Sequence, residues 1–399
     1  MMIYSNIGPR YMFQALAKFI PRSAVFVLLV LTLAAAVAFA AVSHLVARFN
    51  ANAEARGRKL YTQGLADLSA GKPDRAIDEF RAALTCDRNN SQYQLSLGRA
   101  LRDTERLDEA ESYLQSLWQR TPDDGTINLA LARVAAKRDS LDDAIRYYHN
   151  AMYGTWKSDP DGNRRKARIE LIEFLLQRNA RAQAQSELVA LAAFLPADPV
   201  LHLQAAQFLT QAQDYPDAFS EYEKVLRLDR GNAAALGGAG NVAYHAGRYR
   251  TAQHYLQDAV NANPQDANSR SQLESASMIL ETDPFVHRIS DAERNRRIKA
   301  AFVAAGERLA SCAQQKGMNL APTNTDASPD SPLATLQSRW LATKRDLPKL
   351  TSARETDLPD AIMDIVFQIE QQTANDCGEP QGVDEALLLI SHNREAADQ

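Results

Sequence analysis

A repeat of about 34 residues, running from Gly57 to Asp266, restricts this chain more than any other feature. Internal periodicity of that length has to be recognised before local patterns are read, because it decides the fold. A small residue returns at the eighth place of successive units: Gly64, Gly98, Ala132, Ala206 and Gly240. Alanine returns at the twentieth: Ala76, Ala110, Ala144, Ala184, Ala218 and Ala252. Four residues later stands a large side chain: Phe80, Leu114, Tyr148, Leu188, Tyr222 and Leu256. Three further on come Ala83, Leu117, Ala151, Leu191, Val225 and Ala259. Pro122, Pro196 and Pro264 close three of the units. Spacings of three and four place these residues on one face of a helix. Two small positions let a pair of antiparallel helices approach closely, and the large residue fills the space beside them. One pair cannot bury its own apolar face, so neighbouring pairs must stack and share a core.

This pattern resembles the tetratricopeptide repeat, a helix–turn–helix unit with small, small, large and proline positions in this order. The resemblance covers roughly half the chain. It implies an all-α helical solenoid of about six helix–turn–helix repeats over residues 57–266. It also implies a groove, lined by the first helix of each pair, that binds a protein or peptide partner. The pattern has departures. The fourth position holds Leu60 and Leu236, but also Gln94, Arg168 and His202. Six residues, Asp159 to Arg164, break the spacing before the fourth unit, and Asp-Pro-Asp-Gly reads as a loop. Ile172 then stands where a small residue belongs, so the fourth unit is the least regular.

The rest of the chain divides around this array. Residues 1–22 form a basic tail with Arg10, Lys18 and Arg22 and no acid. Residues 23–47 contain no Asp, Glu, Lys or Arg, a run long enough to cross a membrane as one helix. The small-x-small triplet Ala38-Phe39-Ala40 leaves a cleaved signal peptide as the alternative. Arg48, Arg56, Arg58 and Lys59 follow the run, so the charge bias is nearly balanced. The unopposed basic tail favours a single-pass protein whose soluble part lies on the extracytoplasmic, periplasmic side. Beyond the array, residues 267–318 read as a capping helix followed by a charged helix, residues 319–333 as a Pro/Ser/Asp-rich linker, and residues 334–399 as a C-terminal helical region.

Forty-five basic residues stand against 49 acidic ones, which argues against a nucleic-acid surface. Gly238-Ala239-Gly240 with Ala243 imitates a dinucleotide fingerprint, but it falls inside a repeat helix, where such glycines serve packing. The seven histidines are dispersed and read as surface or groove residues, so no metal site is expected. No nucleophile motif, P-loop or paired-carboxylate pattern is present, and no catalytic residue or cofactor is assigned. Cys86 reads as a packing residue. Cys312 and Cys377 are a candidate disulfide if their region faces an oxidising compartment.

The candidate peptide-groove residues are Arg99, Arg102, Arg133, Lys137, Asn241 and Tyr244, placed by what the resemblance implies for the first helix of each pair. The arginines and Lys137 could pair with carboxylates of a bound segment. The expected function is a membrane-anchored protein–protein interaction scaffold, in the manner of envelope complex assembly. The alternative is a redox-linked or enzymatic factor that acts through the C-terminal cysteines while the repeats dock its substrate.

Overall fold

The computed structural model describes residues 22–318, 331–351 and 357–397. The basic tail before Arg22 and residues 319–330 of the expected linker lie outside them. Among the described residues the regular structure is helical, apart from one isolated bridge between Asp124 and Thr155. The chain falls into two compact units, Met1–Leu171 and Ile172–Gln399. The border lies within the fourth repeat.

The first unit opens with α1 (Arg22–Ser69), a single helix of 48 residues, about 72 Å long at the usual rise. Its first half exposes a continuous apolar surface that includes Phe26, Leu33, Phe39 and Leu45. That stretch is long and apolar enough to cross a membrane, a character that signal sequences share. The same helix continues without a break into the first repeat. It pairs there with α2 (Pro73–Cys86). The next two pairs are α3 (Ser91–Asp103) with α4 (Leu107–Trp118) and α5 (Gly125–Lys137) with α6 (Leu141–Tyr153). Helix α7 (Pro160–Gln177) begins the fourth repeat and crosses the border between the units.

The second unit holds the rest of the array. Helix α8 (Arg181–Ala192) completes the fourth repeat. Helices α9 (Pro199–Gln211) and α10 (Tyr215–Leu228) make the fifth. The sixth is α11 (Ala233–His245) with α12 (Tyr249–Ala262), and α13 (Ala267–Thr282) closes the stack.

Close approach at the small positions is visible within each unit. A Cβ added at Gly64 would lie 2.6 Å from the Phe80 ring, one at Gly98 2.9 Å from Leu114, and one at Gly240 2.6 Å from Leu256. Ala76, Ala110, Ala144, Ala218 and Ala252 are fully buried opposite them. Two of the polar residues at the fourth position make hydrogen bonds inside the core. Asn128, completely buried, donates to the carbonyls of Pro122 and Asp124 at 2.8 and 3.0 Å. His202 was expected at the surface or groove but is buried, with Nδ1 2.6 Å from Glu221 Oε2. Glu221 also receives Lys224, so the buried imidazole faces a carboxylate that is itself paired.

The turn inside each pair has one geometry. Gly71, Glu105, Asp139, Asn179, Gln213 and Gly247 all take the left-handed conformation, with φ between 56° and 70°. In each case the next residue's amide reaches back five residues to a carbonyl. Arg106 donates to Leu101, Ser140 to Ala135, Ala180 to Leu175, Asp214 to Leu209 and Arg248 to Ala243 at 2.8 to 3.0 Å. This is the helix-terminating arrangement that glycine adopts most easily, yet only two of the six residues are glycine.

The break before the fourth repeat is displaced from its expected position. Asp159 caps α7 through Gly162 N at 3.1 Å, so Asp-Pro-Asp-Gly starts a helix and the loop spans residues 154–159. A carboxylate ahead of proline at the first helical position is a strong start signal, and it outweighs the loop tendency of the glycine.

Helices α14 (Asp291–Gln315), α15 (Pro332–Lys344), α16 (Leu358–Cys377) and α17 (Val383–Ala397) form a compact end domain in the second unit. Helix α15 already begins at Pro332, inside the stretch expected as linker. Ile298, Phe302, Leu309, Ile362, Val366, Ile369 and Leu387 share one core with Ile279 of α13, and Tyr244 and Tyr249 of the sixth repeat pack against it. Trp340 stacks on Phe302 at 5.1 Å and donates to its carbonyl at 3.0 Å. A disulfide joins Cys312 and Cys377 near the C-terminal ends of α14 and α16.

Two outcomes follow for stability. Gly98→Leu and Ala110→Leu should each cost about 1–3 kcal/mol by overpacking, read as a lowered midpoint in denaturant. Gln213→Gly should raise stability by about 1 kcal/mol, because glycine enters the left-handed region without a Cβ penalty.

Candidate functional site

First helices of the array carry side chains that reach the next first helix at three places. In the first unit Tyr61 of α1 meets Ser96 of α3, hydroxyl to hydroxyl, at 3.1 Å. Arg133 of α5 donates to both carboxylate oxygens of Glu170 on α7, at 2.8 and 2.6 Å. In the second unit Asn241 of α11 accepts from Gln272 of α13 at 2.8 Å, and Tyr244 meets Ser275 at 2.7 Å. Arg133 and Asn241 occupy the ninth position of their repeats, and Glu170 and Gln272 the sixth position of the unit that follows. A ninth-to-sixth bond thus forms a rung between successive first helices at two places.

Arg99 stands at the ninth position of the second repeat, and the sixth position opposite it is Ala130. The rung is missing. Arg99 Nε is buried without a hydrogen-bond partner, and so is Nη1 of Arg102. Arg102 directs its Nε and Nη2 to a single oxygen of Asp103, at 2.8 and 2.6 Å. Burial holds the Arg99 guanidinium below its ordinary pKa, and the nearby Arg133 and Arg102 push it the same way. Arg133 is shifted in the opposite direction, because its hydrogen bonds to Glu170 favour the charged form. An arginine keeps its charge under these influences, so the site holds a partly buried cation short of counter-charge.

The six candidate groove residues therefore differ in what they are free to do. Arg99 and Arg102 come together and retain unused donors. Arg133 is committed to Glu170 and Lys137 to Glu105. Asn241 and Tyr244 are engaged with α13, and Tyr244 also packs between His245 and Tyr249. Residue type at groove positions alone did not separate these cases. The pairing of the ninth position with the sixth position of the next unit separates Arg99 from Arg133 and Asn241, and it can be read from sequence once the register is fixed. Tyr61 borders the site: it stacks on Tyr93 at 4.9 Å and lies 5.6 Å from Phe80.

Among the described residues no group of three or more His, Cys, Asp or Glu is placed to hold a metal ion. Gly238 and Gly240 lie within α11 and face Tyr222 and Leu256, so the fingerprint-like stretch serves packing.

Tetratricopeptide repeat models match residues 61–125 and 95–163 in the first part of the array and 209–273 in the second. Residues 164–208, which include nearly all of the irregular fourth repeat and most of α9, fall outside the matches. Among solved structures the chain is similar to the C-terminal part of a TPR repeat-containing protein from Cytophaga hutchinsonii, at 14% identity and a TM-score of 0.44, over 60% of this chain and 93% of that one. It is also similar to PilF of Pseudomonas aeruginosa, at 16% identity and a TM-score of 0.39, over 55% of this chain and 97% of that one. A third similar structure is YrrB, described as a TPR protein with an unusual peptide-binding site, at 15% identity and a TM-score of 0.38, over 48% of this chain and 96% of that one.

The contrast between the two arginines can be measured. Arg133→Ala should destabilise the first unit by about 1–3 kcal/mol, because it leaves Glu170 half-buried and unpaired. Arg99→Met should leave stability unchanged or raise it, since it removes a cation that has no partner. Thermal unfolding of the two variants beside the parent reads both.

Proposed function

The chain is a tetratricopeptide-repeat protein, a class of protein-interaction scaffold, and we propose that it holds a carboxylate-bearing segment of a partner protein against Arg99 and Arg102. The observation that carries this reading is the missing rung: Ala130 stands where a partner for Arg99 would be, leaving donors buried and unused. Holding a cation uncompensated costs stability, and a bound carboxylate would recover that cost by taking both guanidinium groups. Tyr61, half-buried beside Arg99 and backed by the buried Tyr93 ring, supplies apolar surface for an anchoring side chain.

The scaffold is anchored by residues 23–47, in this reading, as a single membrane span with the repeats on the extracytoplasmic side. Support comes from α1, which runs unbroken from the apolar stretch into the packed core of the first repeat. The anchor and the start of the groove are then one helix, with Tyr61 about 21 Å along it from Ala47. The partner would be met close to the membrane, as in the assembly of an envelope complex. The Cys312–Cys377 disulfide belongs to the same picture, since such bonds persist in oxidising compartments. It takes both of the cysteines that a redox role for the end domain would need.

Peptide panels with acidic, neutral and basic C-terminal segments test the site on the full chain in detergent. Acidic segments should bind, and Arg99→Glu with Arg102→Glu should weaken them at least about tenfold without unfolding the protein. Ala130→Glu, which supplies the absent rung, should have the same effect. Equal binding to parent and variants would dismiss the site. Thiol titration of the unfolded chain should count one thiol without reductant and three with it; a count of three in both would exclude the disulfide.

A further inference from the structure

Glu370 lies in the middle of the end domain, fully buried, and neither carboxylate oxygen has a hydrogen-bond partner. Its helix, α16, packs against α14, α15 and α17. The charged groups acting on it are Asp384, in the first turn of α17, and Arg308 of α14. Arg308 spends one nitrogen on the carbonyl of Gly378 at 2.6 Å, and its buried Nε has no partner. Glu307 of α14 faces Asp384 in turn and adds a further negative charge. Among the described residues α15 contributes no charged group to this cluster. Two carboxyl groups from two helices therefore converge in a core with one cation already engaged elsewhere. Such a site accommodates Glu370 as a neutral acid and resists it as an anion.

We propose that Glu370 is a proton switch that keeps α17 seated on the end domain while protonated and loosens it on ionising. Burial pushes the Glu370 carboxyl up to about 8, Asp384 adds to the rise, and Arg308 opposes it. Its folded value thus lies above its unfolded one. The stability it contributes is complete below about 4.5, declines as pH rises, and is gone above about 8. Ionisation sets Glu370 against Asp384 and hence against the start of α17.

Helix α17 also reaches back to the repeats. Asn393 donates to the carbonyl of Gly247, in the turn of the sixth repeat, at 3.2 Å. Arg394 donates to Asp360 at 3.0 Å and lies 3.8 Å above the ring of Phe285, just beyond α13. The core that α17 helps to build covers Tyr244 and Tyr249. Loosening α17 would uncover that face of the sixth repeat, so the switch sets how much of the second unit is open to a partner.

Amide hydrogen exchange on the full chain in detergent tests this, after correction for the intrinsic pH dependence of exchange. Opening of α17 should increase by roughly a hundredfold between about pH 6 and pH 8, a decade per unit, and level off above that. Glu370→Gln, which stays neutral, should abolish the dependence. Asp384→Asn should make opening level off at a lower pH, because the neighbouring charge is gone. Opening in the parent that does not change with pH would overturn the proposal, as would a Glu370→Gln chain that keeps the parent slope. Should Glu370→Gln fail to fold, an Asp384→Asn curve that levels off where the parent does would overturn it.

Discussion

Close approach of two helices at small residues is the constraint on which the rest of this molecule depends. Phe80, Leu114 and Leu256 reach the backbone of the facing helix only because Gly64, Gly98 and Gly240 carry no side chain there. That contact fixes the distance within a pair, the distance fixes how the next pair stacks, and the stacking decides which side chains of successive first helices meet. The rungs at Arg133–Glu170 and Asn241–Gln272 are a consequence of this spacing. So is the absent rung at Arg99. The candidate binding site is a place where such a bond is absent and not a motif of its own.

Much of this was legible in the sequence, for a physical reason. Packing positions recur because every pair meets the same steric demand, so repetition amplifies a weak local signal. The end helices were readable from capping and periodicity, as Ser290 before α14 shows by accepting from Glu293 N. The harder features were those where one local preference opposes another. Asp159 and Pro160 start a helix that Gly162 seemed to forbid. Glu105 and Gln213 sit in a conformation that favours glycine, since the antiparallel turn requires it and the core supplies the energy. His202 is a core residue only because Glu221 lies across from it, 19 positions away. Sequence spacing does not disclose that contact.

The site was legible in part. Groove positions picked out these arginines but could not rank them, because rank depends on whether the neighbouring helix offers a partner. Arg133 and Arg99 are the same residue type at the same repeat position, and Glu170 against Ala130 makes one a structural rung and the other an unpaired cation. Glu370 was missed altogether. A lone glutamate in an amphipathic helix carries no mark of burial, and its isolation becomes evident only when α14, α16 and α17 are seen around it.

The disulfide has a consequence of a different kind. Cys312 and Cys377 are 65 residues apart, and the covalent loop they close contains α15 and the whole of α16 up to its last residue. A protease that cuts once anywhere inside that loop breaks the polypeptide but not the molecule. Both fragments stay in register on the shared core of α14 and α16, and the nicked chain migrates as one species until the bond is reduced. Turnover of the end domain would then require reduction or a second cut, so redox state could govern how long a damaged copy persists.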